Sequence, residues 1–540
     1  MKISAKNRTE LPSVLRRAKY LCASIGLALG LSGCGTDTVV DDEVTSATVH
    51  GQDWNMESQV VDHGFVKAPE FNDWADAVLY FIVLDRFADG NPNNNRKVQP
   101  DNIGGYHGGD FVGLTNQLDE LADLGVNALW ITPIVDNGEY FDNFPWDNEK
   151  GFFEHHGFHG YWANDFEKID ESFGTEEEFK TLVDEAHKRN IKILLDVVYN
   201  HPGYTSIYEE THPDWIRKGV QNCDSSDDML TCQVGGLPDF ITENPTVANY
   251  LLDAQISFAK RTGIDGFRLD TIKHVGDDFW LKHRRLTQKR ISEDFFLLGE
   301  LWGGNYDGLD KYFAPDLIDS GFDFSWKGNC IGFVEGRSRS AAYGNYLKKR
   351  HRVRDGYHLA HYMSSHDENT ALYDLNYDVD KFKLCVSLQM TSLGIPTIYY
   401  GEEVARQAGP WPHNRDNMPW GKKDVQPGTG IPRHEGLRAH YKKFIDIRHK
   451  HPALRGDNFK VISERNDELL AFYRWDEKAG DAVVVAVNRT AEPLKLSVPV
   501  PEMMSGKKVK DAATEAAVNV TNGKLESTVE GMSTQVIVLD

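Results

Sequence analysis

From about residue 75 to 455 the chain alternates short β-rich runs with amphipathic helical stretches, and this pattern limits the fold more than any other feature. The runs are Ala77 to Leu84, Val126 to Ile131, Ile191 to Val198, Gly266 to Leu269, Phe295 to Leu298, Ile318 to Phe324, His361 to Ser364 and Pro396 to Tyr400. Most are continuously apolar rather than alternating, as strands buried on both faces are. Between them lie helices such as Glu176 to Asn190, opened by a Thr175/Glu178 capping box and carrying Phe179, Leu182, Val183 and Ala186 on one face. Leu114, Leu118 and Leu121 predict another, ended by Gly125. Eight strand-helix units predict an α/β fold, a parallel (β/α)₈ TIM barrel over residues 71–455. Two connections are oversized, Pro133 to about Thr175 and His201 to about Asn244, the second long enough for a small domain inserted after strand 3.

Past Leu454 the runs Leu469 to Trp475, Ala482 to Val487, Leu494 to Val498 and Gln535 to Leu539 alternate or are β-branched, predicting a C-terminal antiparallel β-sandwich over 456–540. At the other end, Arg16, Arg17 and Lys19 precede an apolar run from Leu21 to Leu31 that is too short to span a bilayer, so residues 1–33 read as a signal peptide. Leu31-Ser32-Gly33-Cys34 resembles a bacterial lipobox, which implies acylation of Cys34; Gly35 after it implies sorting to the outer membrane. Residues 34–70, polar and acidic without periodicity, read as a tether.

Charge excludes one class of partner. With 59 basic and 82 acidic residues the net charge is −23, and loss of the leader, with six basic residues and one acid, makes it −28. Such a chain repels phosphate, so nucleic acid is not the expected ligand. Cys223 and Cys232, close together in a polar stretch of an exported chain, are expected to form a disulfide, and Cys330 and Cys385 to be buried thiols.

In a barrel the chemistry sits where strands end. Those ends read Asp196-Val-Val-Tyr-Asn200-His201, Gly266-Phe-Arg268-Leu-Asp270-Thr-Ile-Lys273-His274, Gly299-Glu300-Leu-Trp302 and Ser365-His366-Asp367-Glu368, each an apolar strand closing in charge. Together with Gly125-Val-Asn-Ala-Leu-Trp-Ile-Thr-Pro133, His159-Gly-Tyr-Trp162, Leu237-Pro-Asp-Phe240 and Gly394-Ile-Pro-Thr-Ile-Tyr-Tyr-Gly-Glu402, they resemble the signatures of the α-amylase family of retaining glycoside hydrolases. Ser364-Ser365 and Phe240 depart from that pattern at positions that carry no chemistry.

The resemblance implies Asp270 as nucleophile, Glu300 as general acid and base, and Asp367 as the third acid, gripping sugar hydroxyls as the ring distorts. Arg268 would hold Asp270 ionised, with Asp196 behind it. Tyr161 would stack a sugar at the cleavage point, His201 and His366 would donate to its hydroxyls, Lys273 and His274 would line the leaving-group side, and Arg415 the donor side. It also implies calcium: one ion on Asn200, Asp239 and the main-chain carbonyl of His274, and a second on Asp89, Asn91, Asn94, Asn95, Asp110 and the carbonyl of Gly108.

The activity expected is endo-hydrolysis of α-1,4-glucan, starch or maltodextrin, by a monomeric enzyme exported and held to the outer membrane by lipid. Cyclomaltodextrinase, maltogenic amylase or glucanotransferase is the alternative; a non-catalytic glucan-binding lipoprotein is a third, disfavoured because Asp270, Glu300 and Asp367 are all present. Residues 35–70 are too short for the N-terminal β-domain typical of cyclodextrinases, and no extra starch-binding domain follows the C-terminal one, which favours the simple amylase.

Overall fold

The computed structural model describes residues 47–49, 52–54, 63–145, 151–463 and 467–540. Eight strands close a barrel: β1 (Leu79–Ile82), β2 (Ala128–Ile131), β3 (Lys192–Val197), β4 (Gly266–Leu269), β5 (Phe296–Gly299), β6 (Ser320–Phe322), β7 (His358–Tyr362) and β8 (Ile395–Tyr399). All neighbours are parallel and in chain order, and β8 returns to β1 with Thr397 opposite Leu79. The apolar runs therefore lie buried between barrel interior and outer helices, as continuous hydrophobicity requires.

Three local readings change. β7 begins at His358, before the run read from His361, because two histidines interrupt its apolar pattern; His361 is nonetheless fully buried, its Nε2 3.1 Å from the Gln389 carbonyl. The helix read through Leu114, Leu118 and Leu121 is two, Phe111–Asn116 and Leu118–Leu124, because Gln117 (φ −106°, ψ 6°) leaves helical geometry between them; Gly125, at φ 97°, caps the second. Residues 34–70 are not a featureless tether throughout. Ala47–Val49 pairs with Gln52–Trp54, and by His63 the chain is fastened to the barrel: His63 meets Glu120 at 2.9 Å and the Ala68 amide donates to the Arg189 carbonyl. The leader, Cys22 and Cys34 lie outside the described residues.

The long connection after β2 holds two ribbons, Val135–Asp136 with Asp165–Ile169 and Phe141–Pro145 with Phe152–His156. That after β3 holds a short helix, Ile207–Thr211, and the pair Ile216–Arg217 with Asp239–Phe240.

The C-terminal unit is a five-stranded sheet facing a three-stranded one. In Leu469–Asp476 and Asp481–Asn488 the period of two sends Leu469, Ala471, Ala482, Val484 and Ala486 into the sandwich, against Leu496, Val498 and Leu525. The intervening Leu470, Phe472, Val483, Val485 and Val487 point the other way and join the barrel's own core. Cys330 and Cys385 are buried free thiols.

Candidate active site

Three strand ends converge on one guanidinium. Arg268, buried on β4, gives Nη1 to Asp270 Oδ1 (2.7 Å) and Asp196 Oδ1 (2.9 Å), and its Nη2 lies 2.7 Å from Glu300 Oε1 beyond β5. Asp196 Oδ2 also accepts from the Tyr161 hydroxyl (2.7 Å) and Trp130 Nε1 (3.0 Å). One cation thus faces three buried carboxyls, an arrangement that favours keeping a proton within the cluster. Burial, with Asp270 and Asp367 adding to it against Arg268, pushes Glu300 up to about 8; burial likewise raises Asp196 to about 7, against the pull of Arg268.

The backbone is bent to suit this arrangement. Thr271, directly after Asp270, has φ +47°, a left-handed conformation that β-branched residues resist at a cost on the order of 1–3 kcal/mol. The turn aims the Thr271 amide at Glu300 Oε2, 3.0 Å away, so the acid is pinned from strand β4 as well as by Arg268.

Asp367 stands across the cleft and is more open to solvent. His366 Nε2 lies 3.1 Å from its Oδ2, and Arg415 Nη2 donates to its Oδ1 at 3.2 Å while Arg415 Nε holds the His366 carbonyl at 2.9 Å. The His366 ring stacks on Tyr161, centroids 5.1 Å apart, and burial, with Arg415 adding, keeps its imidazole neutral. His201 is buried and neutral for the same first cause. Asp270, Glu300, Asp367, Tyr161, His201 and His366 all border one cleft of about 590 Å³, together with Lys273, His274 and Arg415.

Cys223 and Cys232 are disulfide-bonded, closing a loop that forms one wall of this cleft. Beneath the bridge His274 Nδ1 donates to the Met229 carbonyl at 2.8 Å. Because the two sulfurs are spent on each other, the Cys223/Cys232/His274 grouping offers no thiolate to a metal.

The two oxygen clusters differ. At the first, Asp239 stands directly opposite Arg217 in its strand pair, and the guanidinium Nε bonds its carboxylate at 2.8 Å and reaches Glu243 through Nη2. The Asn200 carbonyl accepts from the Phe240 amide. With its carboxylate already paired with Arg217, Asp239 offers less free charge to a divalent ion than an unpaired acid would. At the second, Asp89 Oδ1, Asn94 Oδ1 and Asn95 Oδ1 are buried without any hydrogen-bond partner. A Cβ on Gly108 would stand 2.9 Å from Asn95 Oδ1 and 3.3 Å from Asp89 Oδ2, so the glycine keeps the hollow open. Asn91 and Asn94 border it through Asp110, whose Oδ2 accepts the Asn91 amide and Asn94 Nδ2. The unpartnered atoms are all oxygens, one anionic and two amide. That set fits a hard cation.

The sequence profile of the family described as "Alpha amylase, catalytic domain" matches residues 81–428. The chain belongs to the α-amylase family. It is 30% identical to neopullulanase 2 of Thermoactinomyces vulgaris over 488 residues, 84% of this chain and 76% of that protein. With a cyclomaltodextrinase of Bacillus sp. it shares 30% over 443 residues, 76% of this chain and 72% of the relative. The crystal structure of an Anoxybacillus α-amylase superposes with a TM-score of 0.76 at 31% identity, covering 87% of this chain and 99% of that one. The chain is therefore an α-amylase-family glycoside hydrolase.

Several residues of the cleft escape a reading of strand ends. Trp130 donates to Asp196 from inside β2, and its apolar run gives no hint of a polar duty. Trp302, two residues past Glu300, is 44% exposed at the mouth, with its carbonyl 3.5 Å from Lys273 Nζ. Phe144, His155 and Trp411 line the same cleft. Trp411, four residues before Arg415 on the same loop, was the one that proximity could have flagged.

Proposed function

We propose that this enzyme hydrolyses α-1,4-glucosidic bonds in short or cyclic maltodextrins by a retaining double displacement. The observation that carries the mechanism is Arg268 shared between Asp270 and Glu300: neighbouring nitrogens of one planar group grip both carboxyls and keep the pair close, as a nucleophile and acid must be. Asp270 attacks the anomeric carbon as the protonated Glu300 gives its proton to the glycosidic oxygen, and the bond to the leaving sugar breaks. Glu300, now a carboxylate, takes a proton from water, whose oxygen displaces Asp270 and leaves the sugar in its original configuration. Asp367 and His366 hold hydroxyls of the distorting ring. The names neopullulanase and cyclomaltodextrinase among the relatives favour the cyclomaltodextrinase or maltogenic reading over general endo-attack on starch.

The same proposal extends to the surroundings. Asp89, Asn94 and Asn95, with Asp110 and the Gly108 carbonyl, would hold one calcium ion, and the ion would tie the loop after β1 to the barrel. Export and acylation at Cys34 would hold the enzyme to a membrane.

Two measurements test the chemistry. Asp270→Asn should lower kcat on maltodextrin by at least about 10³-fold with the fold intact by circular dichroism, since it removes a group used only in the transition state. Undiminished hydrolysis would refute the nucleophile. Because Glu300 must carry its proton, kcat/KM should fall as pH rises through about 8, and a flat alkaline limb to pH 10 would contradict the acid assignment.

A further inference from the structure

On the proposed mechanism Glu300 protonates the leaving oxygen, which puts its neighbours Lys273 and Trp302 on the leaving-group side and assigns the glycone to the end where Arg415 holds Asp367. That end closes on a wall of rings. In the hairpin of Phe141–Pro145 and Phe152–His156, Phe144 pairs with Phe153 and Asp142 with His155, so the period of two turns Phe144, Phe153 and His155 to one face. Trp411 meets that face, its ring centroid 5.2 Å from Phe144, 5.3 Å from Phe153 and 5.7 Å from His155.

The wall is fixed. The His156 amide donates to the Gly104 carbonyl at 2.8 Å, and a Cβ on Gly104 would stand 2.3 Å from the Glu154 carbonyl oxygen, so only glycine lets the hairpin seat this closely. Trp411 is half-buried and divides the cleft from a neighbouring depression of about 650 Å³; Asp367 borders both. Arg415, on the same loop, holds Asp367, so Trp411 and Asp367 border both hollows side by side.

One polar group interrupts the wall. His155 is 3% exposed, borders the cleft, and neither ring nitrogen has a hydrogen-bond partner. Burial, with Arg415 and Arg86 adding to it, holds the imidazole neutral, so it offers one donor and one acceptor. A sugar hydroxyl, which both donates and accepts, satisfies that pair as apolar ligands do not. Flat apolar rings with a few placed polar atoms are the usual make-up of a small-molecule pocket.

We propose that Trp411, backed by Phe144 and Phe153, stacks the second glycone sugar, that His155 hydrogen-bonds it, and that the hairpin ends the glycone side so that released products are short. The inference rests on the reading of the site as an α-glucan hydrolase, and its test separates the two. The full-length enzyme and its Trp411→Ala and Phe144→Ala variants digest reducing-end-labelled maltooligosaccharides of graded length, with products resolved by chromatography. Trp411→Ala should raise KM for the shortest cleaved substrate about tenfold with kcat changed far less, and both variants should shift products toward longer glycones. Trp411→Phe should restore the short pattern, which a merely unfolded loop would not. Unchanged products and KM in either folded variant would overturn the proposal. Calorimetry of maltotriose binding to Asp270→Asn, with and without Trp411→Ala, reads the platform without turnover; equal affinity would also overturn it, whereas full hydrolysis by Asp270→Asn alone would overturn the cleavage reading instead.

Discussion

Asp239 and Asp110 are both buried acids on loops above the barrel, yet only Asp239 has a cation of its own. Arg217, held opposite it by a two-residue strand pair, supplies the positive charge from within the chain. Asp110 instead collects main-chain amides, from Gly90, Asn91 and Gly113, while three nearby side-chain oxygens stay unpartnered. Burial raises both carboxyls, Asp239 to about 6 against the pull of Arg217, and Asp110 against its amides. An acid-rich corner with no guanidinium in register is therefore the better candidate for an ion.

The largest test of this contrast is Arg217→Met. It strands Asp239, 1% exposed, without its partner and should destabilise the fold by about 3 kcal/mol, the lower end of the range for broken buried pairs because Arg217 reaches solvent. Denaturant unfolding checks it, and calcium should give no rescue; rescue would mean that the corner is a metal site after all. A smaller effect is expected from chelation. Removing an ion present at about a hundred times its Kd should lower stability by about 2.7 kcal/mol, seen as a drop in Tm. Asn95→Ala should abolish that sensitivity while Asp239→Asn leaves it in place. A melting curve indifferent to exhaustive chelation would dissolve the comparison.

The barrel and the cluster of carboxyls on Arg268 were legible because their signals are local. An apolar strand that ends in charge, as at Gly266 to Asp270, states both its burial and its chemistry within five residues. The disulfide was legible for the same reason, its cysteines being nine residues apart. What escaped depends on distant partners. Trp411 acquires its place from Phe144 and Phe153, more than 250 residues earlier, and Arg217 from a register that two-residue strands do not announce. The hairpin hid because its outer face, with Phe141 and Phe152, is nearly as aromatic as its inner one, which blurs the alternation by which strands are recognised. Calcium was expected at two clusters of similar composition, since residue type alone does not say which carboxylate already has a counter-charge.

The sheet that carries Leu469–Asp476 and Asp481–Asn488 is apolar on both sides, one side belonging to the sandwich and the other to the barrel. Arg474 runs through this junction and hands its protons to the carbonyls of Thr391, Asn458 and Gly456, anchoring the end of the Val379–Thr391 helix that precedes β8. The two modules are thus heirs to a common surface: a change on either side must be answered on the other. Exchanging the C-terminal module for a relative's would then fail at Phe472, Val485 and Arg474 before it reached any catalytic residue, and lineages should keep the pair together even where the loops above the barrel diverge.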